Sequence, residues 1–297
     1  MRLDDLDPTD NARDLGSGGG GGGFGLLGLL PLFLGRGMGC GGIVLLGIVG
    51  LIYLAMSGGG GLLSSSGGAG QSSTAGQSGA QVCQASPERL EACRVMTSTD
   101  QTWAAIFQQA GQRYEKAYIN FFQGGAQTGC GAASAAVGPF YCPTDDGVYL
   151  DTSFFDELAQ RFGAKGDFAR DYVIAHEMGH HVQDLLGTSE QVSQMQARGS
   201  EAEGNRWSVA LELQADCFAG VWAARNRDRI EPGDIEEGMT AANAIGDDTL
   251  QKQAQGSVVP DSFTHGTSAQ RMQWLRTGLE SGDPGKCDTF TALGLSH

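Results

Sequence analysis

The chain of 297 residues is long enough for one large domain or two small ones, and 40% of it is hydrophobic. Its formal net charge of −15 argues against a nucleic-acid partner, because phosphate binding needs a basic surface and the sequence has no basic stripe. More than half of the 48 glycines lie in the first eighty residues, so the rest of the chain has the composition of an ordinary globular domain.

The N-terminal part of the sequence predicts a tail followed by a membrane anchor. Residues 1–23 are acidic and then rich in glycine, so they cannot supply a core. Residues 24–56 form an apolar anchor segment, in which residues 37–56 are uncharged and about as long as a single transmembrane helix. A cleaved signal peptide is the alternative, but the apolar run starts late and no small-x-small cleavage site follows it. The sequence therefore favours a retained anchor.

Basic residues predict the orientation of this anchor. Arg2, Arg13 and Arg36 precede the predicted span, and no further Lys or Arg occurs before Arg89. The positive-inside rule then leaves the tail in the cytoplasm. We therefore expect a single-pass protein of the cell membrane whose domain lies outside the cytoplasm.

The remaining sequence predicts a flexible linker and one folded domain. Residues 57–80 are rich in Gly, Ser and Gln, which is typical of a linker. Residues 81–297 predict an α+β domain that is rich in helices and has a small sheet, with Ser86 as the N-cap of its first helix. Further patterns predict a β-like stretch at 132–151 and helices at 99–114, 152–162, 167–186, 206–226, 232–244 and 267–281.

The predicted domain contains an even number of cysteines, which suits disulfide bonds in an oxidising compartment. No C-x-x-C pair supports a cysteine-based zinc site. Six cysteines allow fifteen pairings, of which nearness in sequence favours two. The set that we expect is Cys83–Cys93, Cys130–Cys142 and, by elimination, Cys217–Cys287.

Three of the five histidines lie in the run DYVIAHEMGHHVQDLLG, residues 171–187. His176 and His180 are four residues apart, so on a helix both imidazoles can reach one zinc ion. Two histidines and a carboxylate leave the fourth zinc position for water, and Glu177 can take a proton from that water. The alternative is a solvated polar helix face. His181 points about 100° away from His180, so we expect a surface or supporting residue rather than a ligand.

A third ligand is expected on a helix farther along the chain. Glu212 and Asp216 lie one helical turn apart in an otherwise apolar run. This spacing suits Glu212 as the carboxylate ligand and Asp216 as the acceptor that fixes the ring of a ligand histidine. An acidic stripe facing solvent is the alternative. Glu201 and Glu203 are rival ligands, but their surroundings resemble an exposed loop.

These motifs resemble a known group of enzymes. H-E-x-x-H followed by E-x-x-x-D is the gluzincin arrangement, and about residues 94–279 resemble the bacterial family of "putative neutral zinc metallopeptidases". The resemblance implies a zincin-type fold with an edge strand over the cleft. It also implies one zinc ion on His176, His180 and Glu212, with Glu177 as the base. The runs that carry it are FYCPTDDGVYLD, DYVIAHEMGHHVQ, ELQADCFAGVWA and FTHGTSAQRMQWL.

One more histidine has a predicted role. Gluzincin peptidases often use a histidine or tyrosine to donate a hydrogen bond to the oxyanion, and the resemblance suggests His265 for this role. Asp261, four residues earlier, is its expected orienting partner. Tyr141 and Tyr149 are alternative donors, and a capping or surface role for His265 stays open.

The sequence as a whole predicts a membrane-anchored zinc endopeptidase that hydrolyses peptide or protein substrates. Two alternatives remain. The domain could be a catalytically silent, zinc-stabilised module that binds peptides in the cell envelope. It could also be a zinc amidase that acts on cell-wall material. The sequence makes no prediction of the oligomeric state.

Overall fold

A computed structural model of the protein describes residues 1–17 and 77–295. These residues form a helix-rich α+β fold with a small mixed sheet. The strands are β1 (Ala12–Ser17), β2 (Tyr118–Gln123), β3 (Gly125–Thr128), β4 (Gly131–Ser134), β5 (Phe140–Cys142) and β6 (Gly147–Leu150). The helices are α1 (Gly79–Cys83), α2 (Pro87–Gln109), α3 (Ser153–Gln160), α4 (Asp167–Leu185), α5 (Thr188–Arg198), α6 (Glu201–Arg225), α7 (Asp234–Ala244), α8 (Asp247–Gln255), α9 (Ser268–Ser281) and α10 (Thr289–Ala292).

The sheet has β2 at its centre, between β1 and β6, and both neighbours run parallel to it. Alternate residues of β2 and β6 join the main hydrophobic core, as the two-residue period of a strand requires. These residues are Ile119, Phe121, Val148 and Leu150. The β3–β4 hairpin continues from the end of β2, and β5 pairs antiparallel with β6. Strand β5 therefore forms an edge of the described sheet, next to α4.

Helix α4 lies between the sheet and α6, and a glycine sets the distance between the two helices. A Cβ atom added to Gly179 would lie 3.0 Å from the Cα and the carbonyl oxygen of Ala215 in α6. A side chain at position 179 would push α6 away, so glycine is needed although it costs about 1 kcal/mol of helix propensity. The close contact brings the middle of α6, around Ala215, against α4 at Gly179.

The three predicted disulfides are all present, which confirms their pairing. Cys83–Cys93 joins α1 to α2, with the Cα atoms 5.9 Å apart. Cys130–Cys142 joins the β3–β4 turn to β5, at 5.8 Å. Cys217–Cys287 joins α6 to the C-terminal segment across 70 residues, at 5.6 Å. The last two bonds fix the edge strand and α6, which both border the site described below.

The N-terminal residues are part of this fold, whereas the sequence predicted a separate tail over residues 1–23. Strand β1 pairs with β2 from Ala12 opposite Ile119, and the carboxylate of Asp14 lies 2.8 Å from the guanidinium of Arg89. Met1 is buried in the main core. These contacts are mostly backbone pairs and ion pairs over a polar stretch, so hydrophobic periodicity gave no signal for them. Residues 12–17 and 118–123 share one sheet and must lie on the same side of any membrane.

The predicted anchor at residues 24–56 lies outside the described residues, as does most of the predicted linker at residues 57–80. Within residues 1–17 and 77–295, no helix has the length and apolarity needed to cross a membrane.

Candidate metal centre

Three side chains from two helices meet where α6 packs on α4. The Nε2 atom of His176 lies 3.2 Å from one carboxylate oxygen of Glu212, and Nε2 of His180 lies 3.5 Å from the other. A tetrahedral zinc site with bonds of about 2.0–2.1 Å separates its ligand atoms by about 3.3 Å. The observed separations fit this value, so the three residues could hold one zinc ion.

The ring orientation of both histidines is fixed by hydrogen bonds at Nδ1. His176 donates to the carboxylate of Asp216 over 2.8 Å, and His180 donates to the side-chain oxygen of Gln183, also over 2.8 Å. Both bonds leave Nε2 free to bind metal. The interaction predicted for Asp216 is therefore seen in the structure. Gln183 was not predicted, although it lies three residues after His180 on the same helix and this spacing was a usable signal.

A buried ion pair supports Asp216 in turn. The guanidinium of Arg271 in α9 binds both carboxylate oxygens of Asp216, each at 2.9 Å, and the hydroxyl of Tyr172 donates to the same carboxylate over 2.6 Å. Burial opposes the ionisation of Asp216, but Arg271 and His176 outweigh this effect and lower its pKa to about 2. Sequence reasoning missed Arg271 because it lies 55 residues after Asp216.

The pKa values of the ligands determine whether metal binding must release a proton. Burial opposes a charge on His176, but Asp216 and Glu212 outweigh it and raise the pKa of this imidazole to about 9. Burial also opposes ionisation of Glu212, yet His180 and His176 hold the pKa of its carboxyl well below the usual value. In the metal-free site Nε2 of His176 therefore also carries a proton at neutral pH. Metal binding must release this proton, which makes the affinity depend on pH.

Glu177 lies beside the ligands without joining them. Its side chain is only 5% exposed, and its Oε2 atom has no hydrogen-bond partner among the described residues. Burial raises the pKa of Glu177, while the neighbouring His176 and His180 and the backbone N–H of Tyr141 in β5 hold the rise back. A buried carboxylate oxygen with no partner is costly unless something else uses it. Its position suits a group that takes a proton from water at the open metal position.

His265 lines the same cavity as His176, Glu177 and Glu212. Its orienting carboxylate belongs to Asp247 and not to Asp261, which corrects the sequence prediction. One oxygen of Asp247 lies 3.1 Å from Nδ1 of His265, and the other accepts the backbone N–H of His265 over 2.7 Å. The loop that carries His265 folds over the first turn of α8, where Asp247 lies 18 residues earlier in the chain. No local pattern in the sequence could show this contact.

The rival candidates are either exposed or bonded to other residues. Glu201 and Glu203 are exposed in the first turn of α6, where Glu203 completes a capping box with Ser200. The hydroxyl of Tyr149 donates to Asp145 over 2.6 Å. The hydroxyl of Tyr141 lies 3.1 Å from Nδ1 of His181.

His181 supports the edge strand and is not one of the three residues whose possible ligand atoms lie together. Its Nε2 atom donates to the carbonyl of Glu115 over 2.7 Å, and its Nδ1 atom accepts from Tyr141 in β5. Only 1% of the residue is exposed, so the surface role that was left open is wrong. The helix that presents His180 to the metal therefore also ties β5 in place.

Comparison with known proteins identifies the family of this chain. The model of the family described as "Putative neutral zinc metallopeptidase" matches residues 1–290. The chain belongs to this family. Its match begins at the first residue and so includes β1, which the resemblance found in the sequence did not cover.

The relatives of this protein are themselves named as uncharacterized. Uncharacterized protein YpfJ of Escherichia coli (strain K12) is 51% identical over 211 residues, which cover 69% of this chain and 74% of the relative. Uncharacterized protein Rv2575 of Mycobacterium tuberculosis (strain ATCC 25618 / H37Rv) is 42% identical over 227 residues, which cover 71% and 74%. No solved structure matches the chain significantly.

Proposed function

We propose that the protein is a zinc-dependent endopeptidase that hydrolyses peptide bonds in peptide or protein substrates. One observation carries the proposal: a buried carboxylate with an unpartnered oxygen, Glu177, lies beside three side chains whose spacing fits a zinc ion. Membership of a zinc metallopeptidase family supports the same reaction class.

Each group of site residues has its own role in the proposed reaction. His176, His180 and Glu212 would hold the zinc ion, which when bound polarises the peptide carbonyl and lowers the pKa of water. Glu177 accepts a proton from the attacking water and passes it to the leaving amine. His265, held by Asp247, donates a hydrogen bond to the oxygen on which negative charge develops.

The silent binding module accounts less well for Glu177. Zinc that only stabilised the fold would need the three ligands and their supporting hydrogen bonds. It would not need Glu177 beside them, whose burial costs free energy and whose Oε2 atom makes no hydrogen bond within the described residues. A role as catalytic base would explain why the chain keeps a buried carboxylate at position 177.

Hydrolysis of an unfolded protein by the purified protein tests the proposal. We expect new peptide N-termini to appear with zinc present, to stop when a chelator removes zinc, and to return when zinc is added back. Cell-wall material assayed in parallel tests the amidase. Cleavage that persists after the metal is removed, or cleavage of cell-wall amides alone, would contradict a zinc endopeptidase.

We also propose that the domain acts outside the cytoplasm and that residues 1–17 lie there with it. Three disulfides favour an oxidising compartment, and the pairing of β1 with β2 favours a common location for both parts. This proposal replaces the predicted cytoplasmic tail and keeps the predicted location of the domain. The single membrane pass predicted at residues 37–56 does not fit this arrangement, because it would separate β1 from β2.

Epitope accessibility tests this arrangement. One epitope is inserted in the exposed turn at residues 4–5 and another in the exposed loop at residues 256–259. In intact spheroplasts we expect antibody to reach both. An N-terminal epitope that is reached only after the membrane is permeabilised, with the loop epitope accessible throughout, would contradict the proposal.

A further inference from the structure

A cavity borders the metal centre, and both polar and apolar residues line it. His176, Glu177 and Glu212 are among the polar ones. The apolar ones come from four separate segments of the chain: the loop before β5, helix α3 with the residues after it, the first half of α4, and the α7–α8 junction. The apolar residues that line it include Val137, Phe154, Phe162, Val173, Ile245 and Leu250.

We propose that these apolar residues form a specificity pocket that takes an aliphatic side chain of about the size of leucine from a residue next to the scissile bond. The proposal rests on the proposed peptidase function and adds a substrate class to it. A peptide whose carbonyl lies at the metal centre is close enough to place a neighbouring side chain in the pocket, because the metal-site residues and the apolar residues line one cavity.

The size of the cavity limits the side chain. Its volume is about 100 Å³. An apolar protein cavity of about 150 Å³ holds a benzene molecule. The smaller volume here suits a branched aliphatic group and leaves too little space for an indole or a phenol ring.

The residues that limit the size of the cavity are tightly packed. Gly138, in the loop before β5, has φ +75°, and a Cβ atom added to it would lie 3.2 Å from the ring of Phe154. The loop thus backs directly onto Phe154 and continues into the edge strand. Val137 and Val173 are buried at 7% and 5% exposure, so the pocket cannot widen without disturbing the core.

Charge disfavours an acidic substrate side chain. Glu157 and Arg161 line the cavity, but they form an ion pair with each other one helical turn apart. Arg271 is held by Asp216. An acidic side chain would therefore lose its hydration in the pocket and gain no free cationic partner from Arg161 or Arg271.

The test uses peptides that differ only at one residue beside the cleaved bond: Leu, Ala, Phe or Asp. We expect kcat/KM for the Leu peptide to exceed that for the Ala peptide by about 10- to 200-fold, the usual range for filling an apolar pocket. Phe and Asp are expected to be at least as poor as Ala. The new N-terminus of the product shows on which side of the bond the side chain acts.

A change in the wall should change the preference. Leu250→Ala enlarges the pocket and should raise kcat/KM of the Phe peptide relative to the Leu peptide by about tenfold. Leu293→Ala is the matched control, because Leu293 is half-buried near the C-terminus and does not line this cavity. It should leave the preference unchanged. Equal cleavage of all four peptides, or the same shift in both variants, would overturn the pocket while leaving the peptidase function intact.

A binding measurement keeps the two proposals separable. If no peptide is cleaved, the proposed function fails, and affinities of the same peptides for the Glu177→Gln protein still test the pocket. Tighter binding of Leu than of Ala, Phe or Asp supports it, and equal affinities overturn it.

Discussion

Glu177→Gln is expected to lower kcat for peptide hydrolysis by about 10²- to 10⁴-fold, the usual contribution of a general base, while one zinc ion per chain is retained. Glutamine has the shape of glutamate but cannot accept the proton from water. Zinc should stay because the Nε2 atoms of His176 and His180 face Glu212 and not Glu177. Kinetics and zinc content are measured on the same preparation.

Glu201→Gln is the matched control for this prediction. It removes the same charge from the exposed first turn of α6 and should change neither kcat nor the zinc content. Wild-type rates in the Glu177→Gln protein would rule out Glu177 as the base. A joint loss of zinc and activity would instead give Glu177 a role in holding the metal.

Glu212→Ala is expected to weaken zinc binding by more than 100-fold, because loss of a ligand should exceed the 10- to 100-fold effect typical of residues that only support ligands. The change removes the carboxylate that faces both imidazoles, so His176 and His180 would be left as a pair. Competition with a chromogenic chelator measures the affinity.

Two further variants serve as controls for the measurement of zinc affinity. Glu203→Ala removes the exposed rival carboxylate and should leave zinc affinity unchanged. Gln183→Ala removes the hydrogen bond that orients His180 and should weaken binding by about 10- to 100-fold. Equal affinity of the Glu212→Ala and wild-type proteins would remove position 212 from the site.

The local part of the site could be read from the sequence. The helix predicted at 167–186 is observed as Asp167–Leu185, and the one predicted at 206–226 is observed as Glu201–Arg225. In both helices the ligand spacing and the apolar period fall within one continuous segment, so local rules suffice. The start of the second helix was missed because its capping box, SEAE at residues 200–203, looked like a loop.

The rest of the site depends on contacts that leave no local pattern. Arg271 reaches Asp216 because α9 packs closely along α6, where Gly278 approaches the carbonyl of Cys217. Asp247 reaches His265 through a loop closure, and β1 adds to β2 from the other end of the sequence. Sequence patterns could not predict these contacts, because the residues lie far apart in the chain or in polar stretches.

The most direct test of the metal centre is a crystal structure of the zinc-loaded protein with anomalous diffraction measured at the zinc edge. We predict one peak, about 2.0–2.2 Å from Nε2 of His176, Nε2 of His180 and the carboxylate of Glu212, with Asp216 still bonded to His176. A zinc peak on another acidic group, such as Asp167, Asp234 and Glu237, with none at Glu212, would contradict the account.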